Sequence, residues 1–148
     1  MSFVMNIDEI LDAWQTDASM DPTEIGKESV KTAKLHHKYL QMLIEERLVM
    51  KKIKVKYRRL YKEKWEYYLG LMSQEQLNER GWEPMLLKVL KQDVSTYIEA
   101  DEQVSELQLK MDYQEEKIEA LESIIKTINN RGFQIKNYID WEKFKTGS

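Results

Sequence analysis

From Lys27 to Leu69 the chain contains neither proline nor glycine. Every backbone N–H and C=O in such a stretch needs a partner, and an α-helix supplies those partners locally. The segment is preceded by Asp21-Pro22-Thr23-Glu24. Asp21 suits an N-cap, Pro22 the first helical position and Glu24 the third. The spacing predicts one long helix over 22–69. Ile53 to Tyr57, IKVKY, alternates as a strand would, but over only five residues flanked by helix formers.

The same reasoning extends to the rest of the chain. Asn6 can cap a short helix over Ile7–Trp14, with Asp8 and Glu9 at its positive end. Residues 70–83 hold Gly70, Ser73, Asn78 and Gly81 and read as a connection with at most one helical turn. Pro84 then opens a second long helix that runs to Asn130, with Gly132 placed as a left-handed cap. A tail helix over 133–145 puts Ile135, Ile139 and Phe144 on one side. The expected fold class is all-α. It comprises one domain over 1–148: an N-terminal segment 1–20, a long basic helix 22–69, a connection 70–83, a long acidic heptad helix 84–130 and the tail. Two such helices, each about 70 Å by helix rise, form an extended hairpin, a rod rather than a globule.

In the second helix Tyr97, Ala100, Val104, Leu107, Met111, Gln114, Ile118, Leu121, Ile125 and Ile128 recur at spacings of three and four. That is a heptad seam with one polar member, Gln114. It can pack inside a hairpin or between chains. A rod has little interior, so both uses are expected. Val104, Leu107, Met111, Ile118, Leu121, Ile125 and Ile128 are the candidate oligomerisation residues. From Glu99 to Glu122 the same helix carries nine acids against two lysines.

The net charge is −3, yet Arg47 to Lys64 holds nine Lys and Arg against the single acid Glu63. On a helix, Lys54, Arg58 and Lys62 form a stripe at steps of four, beside a stripe of Tyr57, Tyr61, Trp65 and Tyr68. Cations neutralise phosphates and release counterions, and aromatic faces stack on unpaired bases whatever the base. The combination points to single-stranded nucleic acid bound with little sequence preference. Lys54, Arg58, Lys62 and Lys64 are the candidate phosphate contacts, with Arg59 secondary. Tyr61 and Trp65 are the candidate base stackers. The pattern alone favours the core for such an aromatic stripe. The basic run also fits a solvated face, or a scaffold protein whose basic helix docks on acidic partner helices. A basic helix with a tryptophan suits an anionic membrane surface too, but bulky aliphatics are sparse after Leu60.

Several classes of chemistry find no residues here. There is no cysteine, hence no disulfide or thiol chemistry. The only histidines, His36 and His37, are adjacent and point about 100° apart on a helix, a poor chelating pair. No phosphate-cradling Gly-rich loop and no GxSxG or HExxH string occurs. No catalytic residue, metal or cofactor is expected. The N-terminus lacks a basic leader and meets acids within its first helix, and no apolar run approaches ~18 residues. A soluble intracellular protein is expected.

Two strings add a resemblance. Asn130 to Lys136, NRGFQIK, leads into a tail ending FKTG, and Lys62 to Gly70 reads KEKWEYYLG. The first is similar to the R-G-F-x-I-K string that follows a long helix in the UvsY family of phage recombination mediators. The second is similar to that family's K-x-R-L-D-Y-Y-x-G segment. Lys34 through Glu46 agrees loosely. The resemblance implies a non-enzymatic protein that binds single-stranded DNA in the cytoplasm of an infected bacterium. It implies a closed ring of about six or seven subunits, assembled through the C-terminal region. It implies partnership with a RecA-like phage recombinase and the phage single-strand DNA-binding protein, which it helps the recombinase displace. Lys62 and Lys64 correspond to the family's DNA-binding cations. This chain departs from the pattern at Lys64 for Arg, Trp65 for Leu and Glu66 for Asp, and places Glu63 between the two cations.

Overall fold

The computed structural model describes residues 5–147. Residues 1–4 of the expected N-terminal segment, and residue 148, lie outside the described residues. Every regular element described is helical. In order these are α1 (Ile7–Ala18), a 3-10 turn (Pro22–Glu24), α2 (Ile25–Tyr68), α3 (Gln74–Arg80), a 3-10 turn (Lys91–Asp93), α4 (Val94–Glu99), α5 (Glu102–Asn129) and α6 (Arg131–Thr146). None of them is long and apolar enough to cross a membrane. The chain divides into two compact units, Met1–Val49 with Gln114–Ser148, and Met50–Tyr113.

The helix starts follow their caps. The Asn6 side chain accepts the Glu9 N–H, and α1 continues past Trp14 to Ala18. Asp21 accepts the Thr23 N–H at 2.9 Å and Pro22 follows it, so the chain enters α2 through a 3-10 turn. α2 is then unbroken for 44 residues. The connection holds a true helix, α3. Ser73 and Gln76 form a reciprocal capping box at its start, and Gly81 closes it at φ 71°.

The expected helix 84–130 is corrected. Residues 82–90 are not helical; Tyr67 Oη donates to the Glu83 carbonyl at 2.6 Å, and Val89 turns into the core. Pro84 cannot donate to a helix ladder. A second break falls at Ala100-Asp101, where the Asp101 carboxylate accepts the Val104 N–H at 3.1 Å and starts α5. Tyr97 and Ala100 therefore lie before the heptad helix, not in it. Gly132 is also corrected. It sits in the first turn of α6, and the left-handed cap is Gly147 at φ 74°.

In the first unit Ile10, Leu35, Tyr39, Leu43, Leu121, Ile124 and Ile128 form the core, with Trp14, Ile118 and Ile125 packed against it. Its α2 and α5 segments run in opposite directions, because Glu28 meets Arg131 while Glu46 meets Lys117 and Gln114. In the second unit Val89, Val94, Ile98 and Val104 are the core, under Tyr57, Leu60, Tyr61 and Tyr68. The seam assigned to oligomerisation is thus largely consumed inside the chain. Val104, Leu121 and Ile128 are buried, Ile118 and Ile125 pack on the first core, and Leu107 and Met111 are half-buried. In the first unit the apolar side of α2 takes Leu121 and Ile128, the intramolecular half of the two uses expected of the seam.

Candidate nucleic-acid interface

The second unit carries the basic run on the 50–68 portion of α2. At about 100° per residue, Tyr57, Leu60, Tyr61, Lys64 and Tyr68 share the side that meets its core. The opposite side presents Lys51, Lys54, Arg58 and Lys62, with Lys52, Lys56 and Arg59 alongside, and all seven are exposed. Among the described residues only Lys62 of these seven has an ion pair, 3.7 Å from Glu66, and its side chain is 79% exposed. Six cations, with Lys51, Lys54 and Arg58 on one stripe and Lys52, Lys56 and Arg59 on the next, therefore have no ion pair among the described residues.

The expected site divides on this geometry. Lys54, Arg58, Arg59 and Lys62 lie together on the outer face. Lys64 does not join them. It is 5% exposed, its Nζ lies 3.0 Å from Asp101 Oδ2 and 3.9 Å from the Trp82 ring centre, and the Tyr67 ring is 5.2 Å away. Residues two apart on a helix point about 200° apart, so Lys62 and Lys64 cannot serve one surface. Lys64 as a phosphate contact is corrected to a buried ion-pair partner.

The aromatics divide in the same way. Tyr57 and Tyr61 are half-buried on the core with ring centres 6.1 Å apart, and the Tyr68 ring lies tilted to that of Tyr97 at 5.7 Å. Tyr61 is a core residue rather than an open platform. Trp65, at 37% exposure, flanks the Arg58 and Lys62 stripe and keeps ring surface free. Glu63, the acid between the two family cations, is held in an ion pair by Arg80 of α3, which neutralises its opposition to an anionic ligand.

Asp101 is the residue sequence reasoning missed. Burial works to raise its carboxyl, but Tyr68 Oη at 2.6 Å, the Val104 N–H and Lys64 together hold it below its ordinary value. Its signal was present, an aspartate three residues before Val104 at a helix start. Arg131 of NRGFQIK was also missed. It donates to the Glu28 carboxylate and, at 3.0 Å, to the Glu28 carbonyl, with both side chains 4% exposed. It anchors the start of α6 to α2. Among the described residues no group of three acids or histidines could hold a metal ion.

Comparisons with known proteins give a family and a fold. The profile of the UvsY family, described as recombination, repair and ssDNA binding protein UvsY, matches residues 13–148. No curated protein sequence matches. The bacteriophage T4 recombination mediator protein UvsY, in a crystal structure of lattice type II, superposes with a TM-score of 0.84 at 20% identity, covering 97% of this chain and 99% of that one. Lattice type IV gives 0.84 at 20% identity over 95% and 99%, and lattice type I gives 0.82 at 20% over 93% and 98%. At that identity the superposition establishes the fold. The profile spans nearly the whole chain, and the chain belongs to the UvsY family of recombination, repair and single-stranded-DNA-binding proteins.

Proposed function

We propose that this protein is a single-stranded-DNA-binding recombination mediator. The observation that carries the reading is the solvent side of α2, where Lys51, Lys54 and Arg58 on one stripe and Lys52, Lys56 and Arg59 on the next are exposed without ion pairs among the described residues. Each phosphate neutralised there releases a counterion, so affinity is steep in salt and indifferent to sequence. Trp65 supplies a stacking surface beside the phosphates. No catalytic step is needed.

Self-association multiplies this face. Because Val104, Leu121 and Ile128 are used inside the chain, the exposed apolar residues of α6 take over the role: Phe133, Trp141 and Phe144 lie on one side of that helix, all well exposed. A closed ring of about six or seven copies repeats the basic face and raises avidity without new kinds of contact. In the host cytoplasm such an assembly holds the strand for a RecA-like phage recombinase while phage single-strand DNA-binding protein is displaced. The test is fluorescence anisotropy of labelled oligo-dT at several salt concentrations, with duplex as competitor. Preference for the single strand and a linear fall of log affinity with log salt are expected. Flat traces at low salt from folded, assembled protein would instead assign the basic face to acidic protein partners.

A further inference from the structure

In the second unit the connections on either side of α3 leave four leucines in water. Leu71, Leu86, Leu87 and Leu90 are 63%, 95%, 68% and 53% exposed, and Leu86 is the most exposed large apolar side chain among the described residues. Their chain neighbours Leu69, Met85 and Val89 pack on one core, so the four stand around its rim. The segment that carries three of them is held in place. Met85 and Val89 go to that core on either side of Leu86 and Leu87, and Tyr67 Oη donates to the Glu83 carbonyl at 2.6 Å just before them. Pro84 fixes a backbone angle between. Apolar area concentrated in this way marks a surface that another molecule covers, and a preformed ridge loses little freedom when it docks.

The chain itself carries a surface that fits. On α6, Phe133, Trp141 and Phe144 share one exposed side, and the Trp141 and Phe144 rings stack at 5.8 Å. Phe133 and Trp141 are separated by about 12 Å of helix rise. Asn137 lies between them on the same side with a shorter side chain, which leaves a furrow. A leucine fills a hole bounded by larger side chains as a knob does between helices. The charges agree. Residues 84–91 carry Lys88 and Lys91 and no acid, and Lys88 is exposed with no ion pair among the described residues. Asp140 stands on the α6 face, while Lys143 and Lys145 point to its flanks. Its pair with Lys136, at 3.7 Å, is well exposed on both sides and holds weakly, so Asp140 is open to a lysine of another chain. A closed ring of more than two copies needs two different surfaces on every copy, and α6 is only one.

We infer that the leucine ridge of one copy receives the α6 aromatic face of the next, with Leu86 and Leu87 seated over Asn137 between Phe133 and Trp141, and Lys88 against Asp140. This contact rests on the self-association through α6 proposed above and supplies the surface that α6 meets.

The test is sedimentation velocity of two full-length variants, singly and mixed. Leu86→Asp with Leu87→Asp removes no core contact, since both side chains are exposed. Phe133→Glu with Phe144→Glu spoils the other surface. Each variant is expected to sediment as single chains with circular dichroism unchanged. Mixed in equal amounts they are expected to form pairs and nothing larger, because each keeps the surface that the other lacks. Crosslinking gives a readout that survives weak affinity. The chain has no cysteine, so a protein with both Leu87→Cys and Asn137→Cys is expected to give a ladder of disulfide-linked multimers on oxidation, and neither single variant a covalent dimer. If the phenylalanine variant dissociates but the leucine variant assembles as the unaltered protein does, this inference falls alone. If Asn137→Cys by itself links chains, α6 meets α6 and the ridge is overturned as its partner. Both variants dissociating with no pairs in the mixture and no ladder would overturn it too. If the phenylalanine variant still assembles, or the unaltered protein sediments as a single chain, the α6 reading fails and this inference with it.

Discussion

Consider the paired substitutions Lys62→Ala and Lys64→Ala. The two lysines belong to one short family segment, but they face opposite ways. Lys64 is enclosed with Asp101 at 3.0 Å, and the two side chains are 6% and 7% exposed. Removing one partner of a buried pair typically costs ~3–5 kcal/mol, because the other charge is left uncompensated. Asp101 keeps Tyr68 Oη and the Val104 N–H as donors, so the low end, about 3 kcal/mol, is expected. With a urea m-value of about 2 kcal/mol per M, that moves the unfolding midpoint by about 1.5 M. Lys62 makes only one long surface pair, and its removal is expected to change stability by less than ~0.5 kcal/mol. It should lower oligo-dT affinity about fivefold at 0.1 M salt and the salt slope by about 0.7. Urea melts at fixed protein concentration, together with anisotropy under conditions where both variants are folded, separate the two effects. A Lys64→Ala protein with an unshifted midpoint and a lost salt-slope increment would refute the reasoning, because Lys64 would then be a surface phosphate contact.

The other expectations concern the site, the assembly and pH. Arg58→Glu with Lys62→Glu should reduce the salt slope by more than one, with circular dichroism unchanged; an unchanged slope would move the interface elsewhere. Trp65→Ala should cost ~1–3 kcal/mol of strand affinity if its ring carries a base, whereas Tyr61→Ala should chiefly lower the melting temperature. Phe133→Glu with Phe144→Glu should dissociate the assembly in sedimentation velocity while helicity persists. Asp17 and Asp101 are held below the ordinary value of 3.8 when folded. Their stabilisation is therefore full above that value and fades as pH falls through and below it. Burial and an aspartate partner raise the Tyr39 and Tyr68 hydroxyls above the ordinary 10.0. Their stabilisation is full below that pH and is lost as pH rises further. Urea midpoints should therefore fall at both extremes, and Tyr68→Phe should flatten the alkaline limb.

The helical class, the span of α2 and the clustering of cations between Arg47 and Lys64 were determined by the sequence itself. Caps, breakers and spacing act within a few residues, so Asn6, Asp21 and the proline- and glycine-free run could be read directly. Only tertiary structure decided which side of α2 faces water. A periodic stripe says that residues share a face, not what covers it. Tyr57, Tyr61 and Tyr68 went to the core because Val94, Ile98 and Val104 pack beneath them. Lys64 was withdrawn from the surface by Asp101, a partner far along the chain. The heptad seam was likewise a local pattern with two possible partners, and Leu35, Tyr39 and Leu43 of the same chain took Leu121 and Ile128. Long-range burial selects among locally equivalent faces, and that selection left Lys54, Arg58, Arg59 and Lys62 outside.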